Sequence, residues 1–183
     1  TSNISALLPT IQSRCLTMEF RPLSTAVVES YVKEHCQVPD YQARASAAFA
    51  QGNMGRAIML ANSEHFNEVR GEAVQLLKYI HEMELSEIVN AVNYITVYKL
   101  EISDYLDLIM IWYRDVLMYK ATKELDKVVF KDQIQYIKEQ ARRSSYEGIE
   151  LILESLEKAK ARLKANVNFE LVMELLFLTI KEN

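Results

Sequence analysis

Apolar residues recur along most of this chain at the spacing of a helix. Ile149, Ile152, Leu153, Leu156, Ala159 and Leu163 fall at three- and four-residue steps with Glu and Lys between them. That period puts one apolar stripe on a 3.6-residue helix and predicts a long amphipathic helix over residues 146–164. The same spacing predicts helices over residues 69–83, 86–98, 103–124, 131–143 and 168–181. Ser86, Ser103 and Asn168 stand at the starts as capping side chains, and Asp104 and Asp107 favour the positive end of the helix that begins at Ser103. Upstream the elements shorten. One helix runs from a capping Ser24 through Val27, Val28, Tyr31 and Val32 and ends before Pro39. A second starts at Asp40, carries Tyr41, Ala45, Ala48 and Phe49, and stops at Gly52; a third spans residues 54–61. Three short helices with alanines at their contacts bury too little surface to be stable alone and need a neighbour.

The first residues behave differently. A one-turn apolar helix is expected over residues 4–11, interrupted by Pro9. Leu16, Met18 and Phe20 then alternate, a period-two signal for a strand without a partner in the chain. All three prolines (Pro9, Pro22 and Pro39) lie in this N-terminal stretch, so the rest is free to be helical. The expected fold class is all-α. A chain that opens at Thr1 on an apolar segment with an unpaired strand also reads as a piece whose N-terminal part lies upstream.

Composition narrows the function. The chain has 183 residues and a formal net charge of -4, with a pI near 5.5. This argues against a domain that grips a nucleic-acid backbone over a broad face. The two cysteines, Cys15 and Cys36, have neither CxxC spacing nor the density of a disulfide scaffold, which reads as reduced thiols in a cytoplasmic protein. No apolar run reaches the length of a membrane span. His35, His65 and His81 fall on different helices with no HExxH pattern, so no metal site is expected. Carboxylates on periodic helices belong mostly to the solvent face. Arg142, Arg143 and the lysines from Lys158 to Lys164 carry positive charge that neighbouring acids dilute.

Three segments carry candidate chemistry. In LLPTIQSRC (residues 7–15) an arginine, Arg14, stands at the end of a short helix and before a strand, held on a turn at the edge of its own chain. Its planar, permanently charged guanidinium suits charge developing on a transferring phosphoryl group, although an exposed arginine in a loose salt bridge has the same sequence. In AQGNMGRAI (residues 50–58) two glycines interrupt the entry to a short helix; this lacks the GxxxxGK[ST] pattern and reads first as a tight interhelical turn. In residues 162–176, Asn166 ends one helix, Asn168 caps the next, and Leu171, Val172, Leu175, Leu176 and Leu178 make a broad apolar stripe.

In this order, the Ser13-Arg14-Cys15 triplet, the short strand and the FRPL entry (residues 20–23) resemble the end of the AAA+ core in clamp-loader subunits. The resemblance extends through a lid-like segment and residues 112–117 to the closing Asn-x-Asn hairpin, and so covers essentially the whole chain. It implies a remnant of an AAA+ core over residues 1–22, a three-helix lid over 23–64 and a helical collar over 65–183. It also implies that Arg14 acts in trans as an arginine finger on ATP held by an adjacent subunit, with Ser13 and Cys15 as flanking structural residues and Cys15 buried. Motor subunits of the family have a sensor arginine where this chain has Gly55, followed here by Arg56. Non-hydrolysing, delta-prime-like members tend to show this departure. Arg56 remains a weaker candidate for a phosphate contact. The partners implied are the other subunits (gamma or tau, and delta) through the collar, with the sliding clamp and primed DNA as part of the complex; no cofactor is expected on this chain and no membrane. The alternatives are a motor subunit of the same complex and a helical adaptor without a nucleotide role.

Overall fold

The computed structural model describes residues 7–16 and 18–183, and among these ten α-helices and no strand occur. The helices are α1 (Pro9–Gln12), α2 (Thr25–Cys36), α3 (Asp40–Ala50), α4 (Met54–Ala61), α5 (Glu64–Tyr79), α6 (Leu85–Ile95), α7 (Ile102–Thr122), α8 (Ile134–Arg143), α9 (Tyr146–Lys164) and α10 (Phe169–Glu182). Single 3₁₀ turns, Thr96–Tyr98 and Lys131–Gln133, extend α6 and lead into α8. The all-α expectation holds.

Two buried clusters organise the helices. In the smaller, Val28 and Val32 of α2 meet Ala43, Ala47 and Ala50 of α3 and Ala57 and Ala61 of α4. Alanines let the backbones approach closely but bury little area each, so this cluster is thin. Its polar ties are local: the Gln42 amide donates to the Ala61 carbonyl at 2.5 Å, and Glu29 accepts from Lys33 at 3.1 Å and Arg44 at 3.2 Å. In the larger, α5 to α10 enclose Trp112, Tyr105, Tyr113, Phe130 and Phe177, all essentially without solvent contact. Phe49 and Leu60 leave the short helices to join this larger core, and Phe49 meets Phe66 edge to face at 5.0 Å between ring centres.

Caps agree with the sequence in part. Ser24 accepts from the Val27 amide. Asn168 accepts from the Leu171 amide at 2.9 Å, just beyond Asn166, which ends the α9 segment with φ 57°. Ser86 and Ser103 do not cap. Glu84 and Glu87 form a capping box that starts α6 a turn position earlier than Ser86, since a carboxylate reaches back to an open amide as a hydroxyl does. Glu101 stands before α7 without a side-chain cap. Asp104 lies in the first turn of α7, whereas Asp107 reaches across to Lys160 of α9 at 2.7 Å. Asn53, Ser63 and Ser145 cap α4, α5 and α9.

The N-terminal stretch differs from expectation. Residues 1–6, which include the start of the helix expected over 4–11, lie outside the described residues. Pro9 starts α1 rather than interrupting it, because its fixed φ suits a first helical turn where no amide donor is needed. The alternating Leu16, Met18 and Phe20 do not make a strand: each is at least 71% exposed, and no neighbouring strand supplies a ladder among the described residues. Thr17, between them, lies outside the described residues.

Candidate functional site

Arg14 stands on the turn that closes α1. Its amide donates to the Ile11 carbonyl at 3.0 Å, and the Ser13 hydroxyl donates back to the Thr10 carbonyl at 3.2 Å. The triplet Ser13, Arg14 and Cys15 is exposed throughout. Burial of Cys15 is therefore not what the fold shows: the thiol is open to solvent beside α1, which buries none of its own residues.

The chain returns to the helical body at Leu23, whose amide donates to the Gly52 carbonyl at 3.1 Å. Gly52 has φ +84°, a left-handed conformation that glycine adopts at little cost. A Cβ there would stand 2.5 Å from Pro22 Cβ and 2.6 Å from the Leu23 carbonyl oxygen. This glycine is thus required twice, by its own backbone and by the segment crossing it. Gly55 is not: a Cβ would meet only Asn53 Oδ1, at 3.5 Å. The absence of a side chain at Gly55 is not dictated by packing.

Arg56 turns toward α7. Its guanidinium meets Asp104 Oδ1 at 3.5 Å, joining the short helices to the long ones. Burial pushes the Asp104 carboxyl above the usual carboxylate range against the pull of Arg56. Beside this pair lies a cavity of about 190 Å³ floored by Leu60, Phe66 and Val69. His65 approaches its rim at 4.0 Å from both Glu68 and Glu101.

Buried polar residues fix the long helices, and the sequence did not single them out. Asp115, with no exposed surface, accepts from the Val129 and Phe130 amides at 2.7 and 2.9 Å and so pins the connection that precedes α8. Burial raises its pKa while those amides and Arg114 oppose the rise. Gln140 accepts from the Trp112 indole at 2.6 Å and donates to the Leu77 carbonyl at 2.6 Å, tying α8 to α7 and α5. Arg70 donates to both oxygens of Asp132 at 2.8 and 2.7 Å, while its guanidinium lies 4.9 Å from the Tyr41 ring centre on α3. Burial disfavours charge on Asp132, but the Arg70 hydrogen bonds outweigh it and hold the carboxyl below the usual range. The signal available in sequence was position: Trp112, Asp115 and Val116 are three and four residues apart, which places the carboxylate on the apolar stripe.

The histidines stand apart. His35 stacks on Tyr31 at 4.0 Å and bonds the Tyr31 carbonyl; His81 is buried with Nδ1 3.2 Å from the Lys181 carbonyl. Among the described residues no group of His, Cys, Asp and Glu is arranged to hold a metal ion. None of the described helices is long and apolar enough to cross a membrane. Lys158 and Lys160 are neutralised locally by Glu154 and Asp107. Arg142 and Arg143, in contrast, are exposed and form no ion pair with any described residue.

The class the fold defines is an all-α helical module whose buried polar side chains tie helix to helix, preceded by the exposed Ser13-Arg14-Cys15 turn. The chain belongs to the family of C-terminal regions of DNA polymerase III delta subunits: the family model described as "DNA polymerase III, delta subunit, C terminal" matches residues 67–182. The chain is also similar to the DNA polymerase III subunit delta' of Bacillus subtilis (strain 168), with 30% identity over 179 residues that make up 96% of this chain and 54% of that protein. It therefore spans about half the length of the curated relative it matches. Both findings agree with the resemblance to clamp-loader subunits, the family model over residues 67–182 and the relative over nearly the whole chain.

Proposed function

We propose that the chain forms the lid and collar of a delta-prime-like member of a clamp loader, part of the ATP-driven machinery that places a sliding clamp on primed DNA. Residues 1–22 then end the AAA+ core, 23–64 form the lid and 65–183 the collar. On this reading the chain performs no chemistry of its own. It supplies Arg14 in trans to ATP bound by the adjacent motor subunit, with Ser13 and Cys15 shaping the turn. The observation that carries this is the exposed Ser13-Arg14-Cys15 turn standing ahead of a body that belongs to the family of delta C-terminal regions. The 30% identity to a delta' subunit over nearly the whole chain supports it.

Two further features favour a non-hydrolysing role. Gly55 carries no side chain toward a nucleotide although its surroundings leave room for one. Arg56 is paired with Asp104, so it serves as a lid-to-collar tie and a phosphate would have to compete for it. The collar contact with gamma or tau and delta subunits is assigned to the outer faces of α6 and α10, where Leu85, Val89, Leu171 and Leu175 are exposed.

The test is a reconstituted clamp loader in which the full-length protein bears Arg14→Ala. Arginine fingers contribute about 10³ to 10⁵ in rate, so clamp- and DNA-stimulated ATPase should fall at least about tenfold while the complex still assembles. Undiminished ATPase would assign the chain to a helical adaptor role instead.

A further inference from the structure

The cations of this acidic chain that lack an acid partner are not evenly spread: Lys123, Arg142 and Arg143 are exposed, and Lys78, Lys120 and Lys138 are half-buried. Lys138 and Arg142 stand one helical turn apart on α8, and Arg143 follows on its other flank. Lys138 and Lys123 both lie over the Tyr119 ring, at 5.8 and 5.2 Å from its centre. Lys120, which donates to the Ala141 carbonyl at 2.9 Å, lies 5.1 Å from the Tyr146 ring centre. Across the helix Lys78 lies 4.7 Å from the Tyr136 ring centre, and Tyr136 meets Tyr79 edge to face at 6.5 Å. None of these cations is in an ion pair with a described acid, whereas Lys33, Arg44, Arg56, Arg70, Lys127 and Lys160 are. Glu82 and Glu139 line the hollow that holds Lys78 and Arg143, and Glu139 also lines the one beside Lys138 and Arg142. Cations without an acid partner thus gather around α8 on both of its flanks, interleaved with aromatic rings and with Glu139 between them, in a molecule whose net charge is -4.

We propose that the face around α8, with Lys78, Lys123, Lys138, Arg142 and Arg143 among Tyr79, Tyr119 and Tyr146, binds a single-stranded nucleic-acid segment. Unpaired ammonium and guanidinium groups release counterions from phosphates on contact, which gives a binding term that paired cations do not. Tyr79 and Tyr146 are 41% and 51% exposed, so each offers ring surface. Unpaired bases stack on such rings, and bases already stacked in a duplex do not. That is why a single strand fits this face better than a duplex or an acidic peptide. The assignment is independent of the role given to Arg14.

The experiment is fluorescence anisotropy of a labelled oligo-dT of about twenty nucleotides, titrated with the 183-residue chain at several salt concentrations. The triple variant Lys138→Glu, Arg142→Glu, Arg143→Glu should bind at least about tenfold more weakly and show a shallower salt slope, each lost phosphate contact removing about 0.7 from it for a single strand. Arg162→Glu with Lys164→Glu, at the far end of α9, should leave binding unchanged, and circular dichroism checks that both variants keep their helices. Tyr79→Ala with Tyr146→Ala should weaken oligo-dT binding while affinity for a duplex of the same length, lower from the start, stays constant. Equal loss in the α9 variant, no loss in the α8 variant, equal duplex affinity, or displacement by polyglutamate as readily as by unlabelled oligo-dT would each overturn the proposal.

Discussion

The two buried clusters use opposite means to the same end. The short helices pack alanine on alanine with two valines, and their one buried aromatic, Phe49, sits in the larger cluster; that cluster packs Trp112, Tyr105, Tyr113 and Phe130 and binds them with buried Asp115 and Gln140. A small-residue interface fixes close spacing but contributes little area. A large aromatic core contributes area, and hydrogen bonds from its few polar side chains select one arrangement. The difference teaches that the short helices are stable by attachment. Phe49, Leu60, the Arg56 to Asp104 pair and the stacking of Tyr41 under Arg70 lend them the larger core.

The comparison is broken most severely from the large side. Trp112→Ala removes a fully buried ring and leaves Gln140 without its indole donor. A loss of about 3–5 kcal/mol is expected, seen as a lower urea midpoint in which both regions unfold together. If the short helices survived, they would be independent after all. Gly52→Ala acts on the small side, forcing a Cβ into Pro22 and the Leu23 backbone at φ +84°. A cost of about 1–3 kcal/mol for that strain should appear as faster proteolysis near residues 20–53 while the melting of the large core hardly moves.

The mildest effect is one of pH. Burial, with Arg143 and Lys181 nearby, lowers the His81 pKa below its ordinary 6.5 despite its bond to the Lys181 carbonyl. A histidine held neutral when folded loses more as the unfolded chain gains protons, so stability is full above pH 6.5 and declines as pH falls from there toward the lowered folded value. Thermal melts between about pH 7.5 and 5.5 should show this decline, and His81→Gln should flatten it. Because His81 bridges α10 to the end of α5, the decline belongs to the large core alone.

The helices were legible in sequence because each carries its period: the predicted residues 146–164 and the observed α9 coincide. Caps were less so. Ser86 offered a hydroxyl at a plausible start, but Glu84 and Glu87 close the turn earlier, and both residue types satisfy the same open amides. Asp115 and Gln140 were hidden because a polar side chain on a periodic helix is ordinarily solvated, and only tertiary partners sixty-odd or fifteen residues away reveal otherwise. At the α8 face the sequence showed Arg142 and Arg143 diluted by neighbouring acids. Folding leaves Glu139 among those arginines without pairing it to them, and brings Lys78 and Lys123 from other helices. The strand expected at Leu16 to Phe20 failed for a related reason, since alternation describes a pattern of faces and a ladder needs a second chain segment.

Gly52 has a mechanical consequence. Between Arg14 and α2 the described backbone has no regular structure after Cys15, and its first bond to the helical body is the Leu23 amide on the Gly52 carbonyl. A pull on the arginine turn therefore reaches the helical body at Leu23, where it divides between the hydrogen bond to Gly52 and the backbone that runs directly into α2. A residue with no side chain thus sets the first non-covalent point at which the leading segment is held.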